Sequence, residues 1–174
     1  VYVSLGTIYN NAPEFFRLCI EAFTDSNFAA VISTGGRVEP ESLGPVPENI
    51  IVRPWVAQTS VLRKASLFVT HGGMGSVHDG LYLGLPLLCV PQQEEETLTA
   101  LRVAQLGAGV VIKRSDLTAN TLRVQAARLV AEPRFAAASQ RLGETLRAAG
   151  GAQRAADLVE ELLAARGAGP QAHA

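Results

Sequence analysis

Six consecutive residues, His71-Gly72-Gly73-Met74-Gly75-Ser76, gather the groups of this chain best suited to holding an anion. Three glycines crowd into four positions, so a ligand can approach the backbone without meeting Cβ atoms. Leu67 to Val69 is a short apolar run with the look of a buried parallel strand. Beyond Ser76, the spacing of Val77, Gly80, Leu81 and Gly84 suggests a short helix packed closely on a sheet. A strand, a glycine turn and a helix start make an anion site. The first helical N–H groups have no partner within the helix, and the dipole places about half a positive charge there. The expected occupant is a nucleotide diphosphate, with Gly6-Thr7 as a second phosphate-facing turn. The dinucleotide fingerprint G-x-G-x-x-G is a weak fit, because Gly73 and Gly75 are followed by His78 at its third position. His71 and His78 lack a third ligand at metal-binding spacing, so no metal is expected. Ser76 and Asp79 also fit a capping box, S-x-x-D, closing the helix start.

The bulk properties narrow the partners. A hydrophobic share of 48% excludes a disordered chain, and 174 residues suffice for one domain with a real core. A net charge of −1 gives no basic stripe for nucleic acid and no polybasic membrane patch. A phosphate must then be held by helix ends, hydroxyls and a histidine rather than by a lysine cluster. Cys19 and Cys89 read as buried free thiols in a reducing compartment. No 18-residue apolar run and no signal peptide is visible, so the expectation is a soluble, cytoplasmic domain without membrane insertion. Val1 opens inside a strand-like run and the only methionine is Met74. The chain is therefore expected to be a piece of a longer protein, with a partner domain on its N-terminal side.

The elements that must position these residues alternate along the chain. Strands are expected at Val1–Leu5, Phe28–Ser33, Ile50–Arg53, Leu67–Val69, Leu87–Val90 and Val110–Ile112. Pro13 opens a helix whose apolar face is Phe16, Cys19, Ile20 and Phe23. Short helices suit Gln58–Lys64 and the stretch after Ser76, and a longer one runs from Glu94 to Leu106. Residues 37–49, with Pro40, Pro45 and Pro47, read as loop. From Thr118 the pattern is helical only, capped by Thr118 or Asp116 and broken at Pro133 and Gly150-Gly151, with a disordered tail over 167–174. The fold class is α/β: a Rossmann-like, doubly wound parallel sheet of about six strands, with helices on both faces and a helical C-terminal segment. Such sheets bind ligands beyond the carboxyl ends of their strands, where Thr7, Trp55 and His71 converge.

From Trp55 to Glu96 the chain resembles the signature box of nucleotide-sugar-dependent glycosyltransferases of the two-domain GT-B fold, most closely the bacterial macrolide and natural-product group. The matching residues are Trp55-Val56-Ala57-Gln58, His71-Gly72-Gly73-Met74-Gly75-Ser76, Asp79-Gly80, Gly84-Leu85-Pro86, Pro91-Gln92 and Leu106-Gly107-Ala108-Gly109. Val3 to Thr7 is similar to the first strand and turn of that family's C-terminal donor domain. The resemblance covers nearly the whole chain. It implies one half of a GT-B enzyme, with the acceptor domain on its N-terminal side, and a UDP- or TDP-sugar as donor.

The resemblance also assigns roles. Trp55 stacks on the pyrimidine, Val56 backbone groups meet the base edge, and Gln58 holds base or ribose; the alternative for Trp55 is a place in the core. His71 donates to the diphosphate together with Thr7, the Ser76 hydroxyl and the N–H groups of Gly75 and Ser76, beside Gly73. No cofactor or metal is needed. Asp79 takes the ribose hydroxyls, in competition with its capping-box reading. At the sugar end Glu95 and Glu96 stand where the family has an acid and a glutamine, and Thr99 where asparagine is common. A carboxylate only accepts hydrogen bonds, which points away from plain glucose toward a deoxy- or amino-deoxysugar. The alternative for these glutamates is a solvated acidic helix start. The catalytic base is implied in the partner domain, so none is assigned here. Rival readings are a nucleotide-sugar epimerase of the same fold, a non-catalytic nucleotide-binding module, or a stand-alone subunit that recruits a separate acceptor subunit.

Overall fold

The computed structural model describes residues 1–167. Six strands form one parallel sheet: β1 (Tyr2–Ser4), β2 (Ala30–Ser33), β3 (Ile50–Arg53), β4 (Phe68–Thr70), β5 (Leu87–Cys89) and β6 (Gly109–Val111). Their spatial order is β3-β2-β1-β4-β5-β6. The order reverses between β1 and β4, which run in register through Tyr2–Phe68, Val3–Val69 and Ser4–Thr70. At that switch point the loops leave the sheet in opposite directions and open a crevice.

Successive strand residues point to opposite faces, and both faces are covered. Val3, Ile32, Val69 and Leu88 join one apolar cluster, while Tyr2, Phe68, Leu87 and Cys89 join the other. The first face receives α1 (Pro13–Phe23) and α5 (Ala119–Ala131). Pro13 starts α1, and Phe15, Phe16, Cys19, Ile20 and Phe23 bury its apolar stripe. Arg123 of α5 donates to the carbonyls of Ala22 (2.7 Å) and Glu21 (2.9 Å), satisfying acceptors that α1 leaves open at its end. The second face carries α2 (Gln58–Leu62), α3 (Met74–Tyr82), α4 (Glu94–Gln105) and α6 (Pro133–Ala148). Gly143 lets α6 lie directly on the Leu81 carbonyl of α3. A last helix, α7 (Gly151–Gly167), follows Gly150.

The strands and most helices fall where the hydrophobic pattern puts them, with three differences. Residues 37–49 are not wholly loop, because Pro40–Leu43 closes into a short 3-10 turn that buries Leu43. Thr118, not Asp116, caps α5, its hydroxyl accepting from the Thr121 N–H at 3.0 Å. The third difference is the start of α3, whose N-cap, Gly73, falls three residues before the expected cap at Ser76. The tail expected over 167–174 lies, from residue 168 onward, outside the described residues. No helix among the described residues is long and apolar enough to cross a membrane.

Candidate functional site

A cavity of about 480 Å³ opens at the carboxyl ends of β1 and β4. That size is within the usual range for small-ligand sites. The turn after β1 supplies Gly6 and Thr7, the turn after β4 supplies His71 and Gly73, α3 supplies Gly75, Ser76 and Asp79, and α4 supplies Glu95 and Glu96. Gln58 of α2 completes the wall. Nine of the eleven residues expected from sequence to meet the ligand therefore line one cavity. Trp55 and Val56 lie outside this lining, on the β3 side.

The helix start is where sequence and structure part. α3 begins at Met74, three residues earlier than the S-x-x-D reading requires, and Gly73 is its N-cap with no side chain closing it. The first helical bond runs from the Val77 N–H to the Gly73 carbonyl at 2.9 Å. The N–H groups of Met74, Gly75 and Ser76 thus have no partner among the described residues. Ser76 is not a cap, and Asp79 sits mid-helix. An uncapped glycine start leaves more donors for an anion than a serine cap would.

Asp79 has a different partner. Its Oδ2 accepts from Gln58 Nε2 at 2.8 Å, and Gln58 Oε1 in turn accepts from the Tyr2 hydroxyl at 3.3 Å. Tyr2 is buried, with its ring stacked on Phe68 at 5.1 Å between centroids. Burial pushes its hydroxyl pKa up, so it remains a donor at neutral pH. A line of hydrogen bonds therefore runs from the core to a carboxylate on the cavity wall. Gln58, expected to touch base or ribose itself, spends its carbonyl and one amide hydrogen on orienting Asp79.

His71 is held tightly. Gly6, at φ 75°, turns the chain so closely over the ring that a Cβ there would sit 2.7 Å from His71 Cε1. A Cβ on Gly73 would overlap Nε2. Nδ1 lies 3.5 Å from the Thr70 hydroxyl, and Nε2 lies 4.0 Å from Glu96 Oε1. Burial lowers the imidazole pKa below its ordinary value, against the opposing pull of the Glu96 carboxylate and a hydrogen bond to the Ser4 backbone. At neutral pH the free ring is uncharged. No Lys or Arg is among the residues lining the cavity, so positive potential comes from the helix start alone.

The acidic end of the cavity also differs from expectation. Glu96 Oε2 accepts from the backbone N–H groups of Gln92 (2.6 Å) and Gln93 (3.0 Å), closing the start of α4 as a capping box. One of its oxygens is therefore spent on the fold, and the other faces His71 rather than standing free for sugar hydroxyls. Thr99 bends back to its own helix, donating to the Glu95 carbonyl at 3.2 Å. Glu95 is exposed, and its carboxylate makes no hydrogen bond among the described residues.

Trp55 is 61% exposed, which removes the core alternative. Its indole lies across Gly36, where a Cβ would approach Nε1 to 2.8 Å. The N–H and C=O of Val56 have no partner among the described residues, so an exposed flat platform and an open backbone edge follow one another after β3. Sequence reasoning missed three supports: Tyr2, Asn10 and Gln93. Asn10 is fully buried and donates to the Gly6 carbonyl at 2.8 Å and the Gly35 carbonyl at 3.2 Å, tying the turns after β1 and β2 together. A lone asparagine eight residues after the start of β1 carries no local signal for that task. Among the described residues no group of three or more His, Cys, Asp or Glu is placed to hold a metal ion.

The family of the erythromycin biosynthesis protein CIII-like C-terminal domain matches residues 23–162. The chain belongs to this family. NDP-glycosyltransferase YjiC of Bacillus licheniformis is 41% identical over 165 residues, covering 95% of this chain and 42% of that protein. Oleandomycin glycosyltransferase of Streptomyces antibioticus is 38% identical over 167 residues, covering 95% and 39%. The structure of the calicheamicin glycosyltransferase CalG4 superposes with a TM-score of 0.90 at 38% identity, over 96% of this chain and 43% of that one. Glycosyltransferase VinC in complex with DTDP gives 0.73 at 28% identity, over 84% and 37%. The chain spans less than half the length of these relatives, and its fold is that of the C-terminal half of a GT-B glycosyltransferase.

Proposed function

We propose that this chain is the donor-binding half of an inverting glycosyltransferase that takes a UDP- or TDP-sugar and glycosylates a natural-product hydroxyl. The observation that carries the reading is the uncapped start of α3, with its free N–H groups and His71, beside the exposed Trp55 platform. The pyrimidine stacks on Trp55 with its edge on the Val56 backbone, the ribose hydroxyls bond Asp79, and the diphosphate rests on Gly75, Ser76, His71 and Thr7. Name and bound nucleotide of the relatives support a nucleotide-sugar donor.

The chemistry follows from charge. An acceptor hydroxyl, deprotonated by a base in the partner domain, attacks the anomeric carbon opposite the diphosphate. As the glycosidic C–O bond breaks, negative charge builds on the leaving diphosphate. Preorganised N–H donors at a helix start stabilise that charge without a metal, the kind of contact whose single removal elsewhere costs about 3–4 kcal/mol of barrier. Glu95, exposed and unpaired on the cavity wall, faces the sugar. Its carboxylate favours a deoxy- or amino-deoxysugar bearing an ammonium over a sugar that needs a donor at that position.

Calorimetric titration with UDP and TDP tests the reading. Both nucleotides are expected to bind, and His71→Ala to weaken each at least tenfold without lowering the melting temperature by more than a few degrees. Equal binding by wild type and His71→Ala contradicts the site.

A further inference from the structure

The ring of His71 meets an unusual neighbour. Gly6 covers one face, Gly73 crowds Nε2, and Thr70 stands by Nδ1. The remaining side is α4, which brings Glu96 Oε1 to 4.0 Å from Nε2. Glu96 cannot swing away, because its other oxygen is clamped by the N–H groups of Gln92 and Gln93. The two side chains are 14% and 12% exposed, so water screens them poorly. Other titratable groups are more remote. Asp79 lies further along α3 and is tied to Gln58, Glu95 shares the cavity from α4 in an exposed position, and Tyr9 lines it from the turn after β1. From α3 itself comes the positive helix start.

A diphosphate only accepts hydrogen bonds, and so does a carboxylate. Both converge on the Nε2 side of one ring, one fixed in the chain and one brought by the ligand. A neutral ring protonated at Nδ1 satisfies neither. A neutral ring protonated at Nε2 puts one uncharged N–H between two anions, whereas an imidazolium presents the same N–H with a positive charge that offsets the repulsion between them. Resting on the donor-site reading above, we infer that Glu96 is a positioning residue that makes His71 bind the diphosphate as a cation, so that donor binding takes up a proton. Burial keeps the free ring neutral near pH 7, so that proton comes from solvent. A glutamine in place of Glu96 would keep the clamp through its carbonyl oxygen. Its amide would then turn a neutral donor toward the ring, and the requirement for a charged imidazole would weaken.

The test is a calorimetric titration of the 174-residue chain with UDP from pH 5.5 to 8.5, in buffers of different ionisation enthalpy, for wild type and Glu96→Gln. Ionisation of UDP itself is common to both and cancels in the difference. Affinity is expected to fall as pH rises in both, with the midpoint about one pH unit lower in Glu96→Gln and less proton uptake near pH 7.5. A nitrogen-15 spectrum of the His71 ring in the wild-type complex supplies a check that needs no variant. Protons on both ring nitrogens are expected. Superimposable pH profiles, or a complex with one ring proton, overturn the inference while leaving the donor site standing. No UDP binding at any pH overturns the donor-site reading and this inference with it.

Discussion

Replacing Gly75 by alanine separates what the fold needs from what the ligand needs. Gly75 is the second residue of α3, and a Cβ there would meet no heavy atom within 4 Å. The folded chain thus has no steric use for the glycine. Alanine is favoured in a helix by about 0.5–1 kcal/mol, and the first turn places this site at the lower end. For a domain of this size that raises Tm by about 1–2 °C. The new methyl projects into the cavity, where the diphosphate is placed against the N–H groups of Gly75 and Ser76. Losing one charge-assisted hydrogen bond costs about 1.5–3 kcal/mol, a roughly ten- to hundredfold rise in Kd. Thermal unfolding and UDP titration of the same preparation read both quantities, which move in opposite senses. Gly73→Ala is the contrast: its methyl overlaps His71 Nε2, so stability and affinity both fall. If Gly75→Ala binds UDP within twofold of wild type, the diphosphate does not lie on this helix start.

Trp55→Ala should raise the Kd for UDP about tenfold by calorimetry while leaving the denaturant midpoint unchanged, since the indole is exposed and its loss opens no core cavity. Tyr2→Phe removes the only donor to Gln58 Oε1 among the described residues, so urea unfolding should show a loss of about 1 kcal/mol, with weaker UDP binding through a mobile Asp79. Because burial holds the His71 pKa below its ordinary value, the unfolded chain binds more protons there. The free chain should then lose stability as pH falls through about 6.5, and His71→Gln should flatten that part of the profile. Cys19 is fully buried and the Cys89 thiol is pushed up to about 12, so a thiol reagent at pH 8 should label neither until the chain unfolds.

The backbone architecture was legible because both signals in it are local and redundant. Buried parallel strands read as short apolar runs such as Leu87–Val90, and glycine or proline punctuated nearly every helix. The crevice followed from topology, since Thr7 and His71 each end a strand and the sheet reverses between those two. What stayed hidden was the assignment of side chains with two plausible partners. Ser76-x-x-Asp79 satisfied a capping pattern, yet the glycines let the helix start three residues sooner, and Asp79 was claimed by Gln58 on another element. Glu96 was placed with the sugar by analogy, whereas the capping box it forms with Gln93 reuses a pattern already present in the sequence. The sites for Tyr2 and Asn10 could not be read, because Gln58 lies 56 residues from Tyr2 and Gly35 lies 25 from Asn10, whose nearer partner, Gly6, offers only a backbone carbonyl.

The most direct measurement is a crystal structure of the chain grown with UDP. The diphosphate is expected within hydrogen-bond distance of the Gly75 and Ser76 N–H groups and of His71 Nε2, with the uracil flat on Trp55. Density for UDP in the hollow by Lys113 and Arg114, with the start of α3 empty, would contradict it.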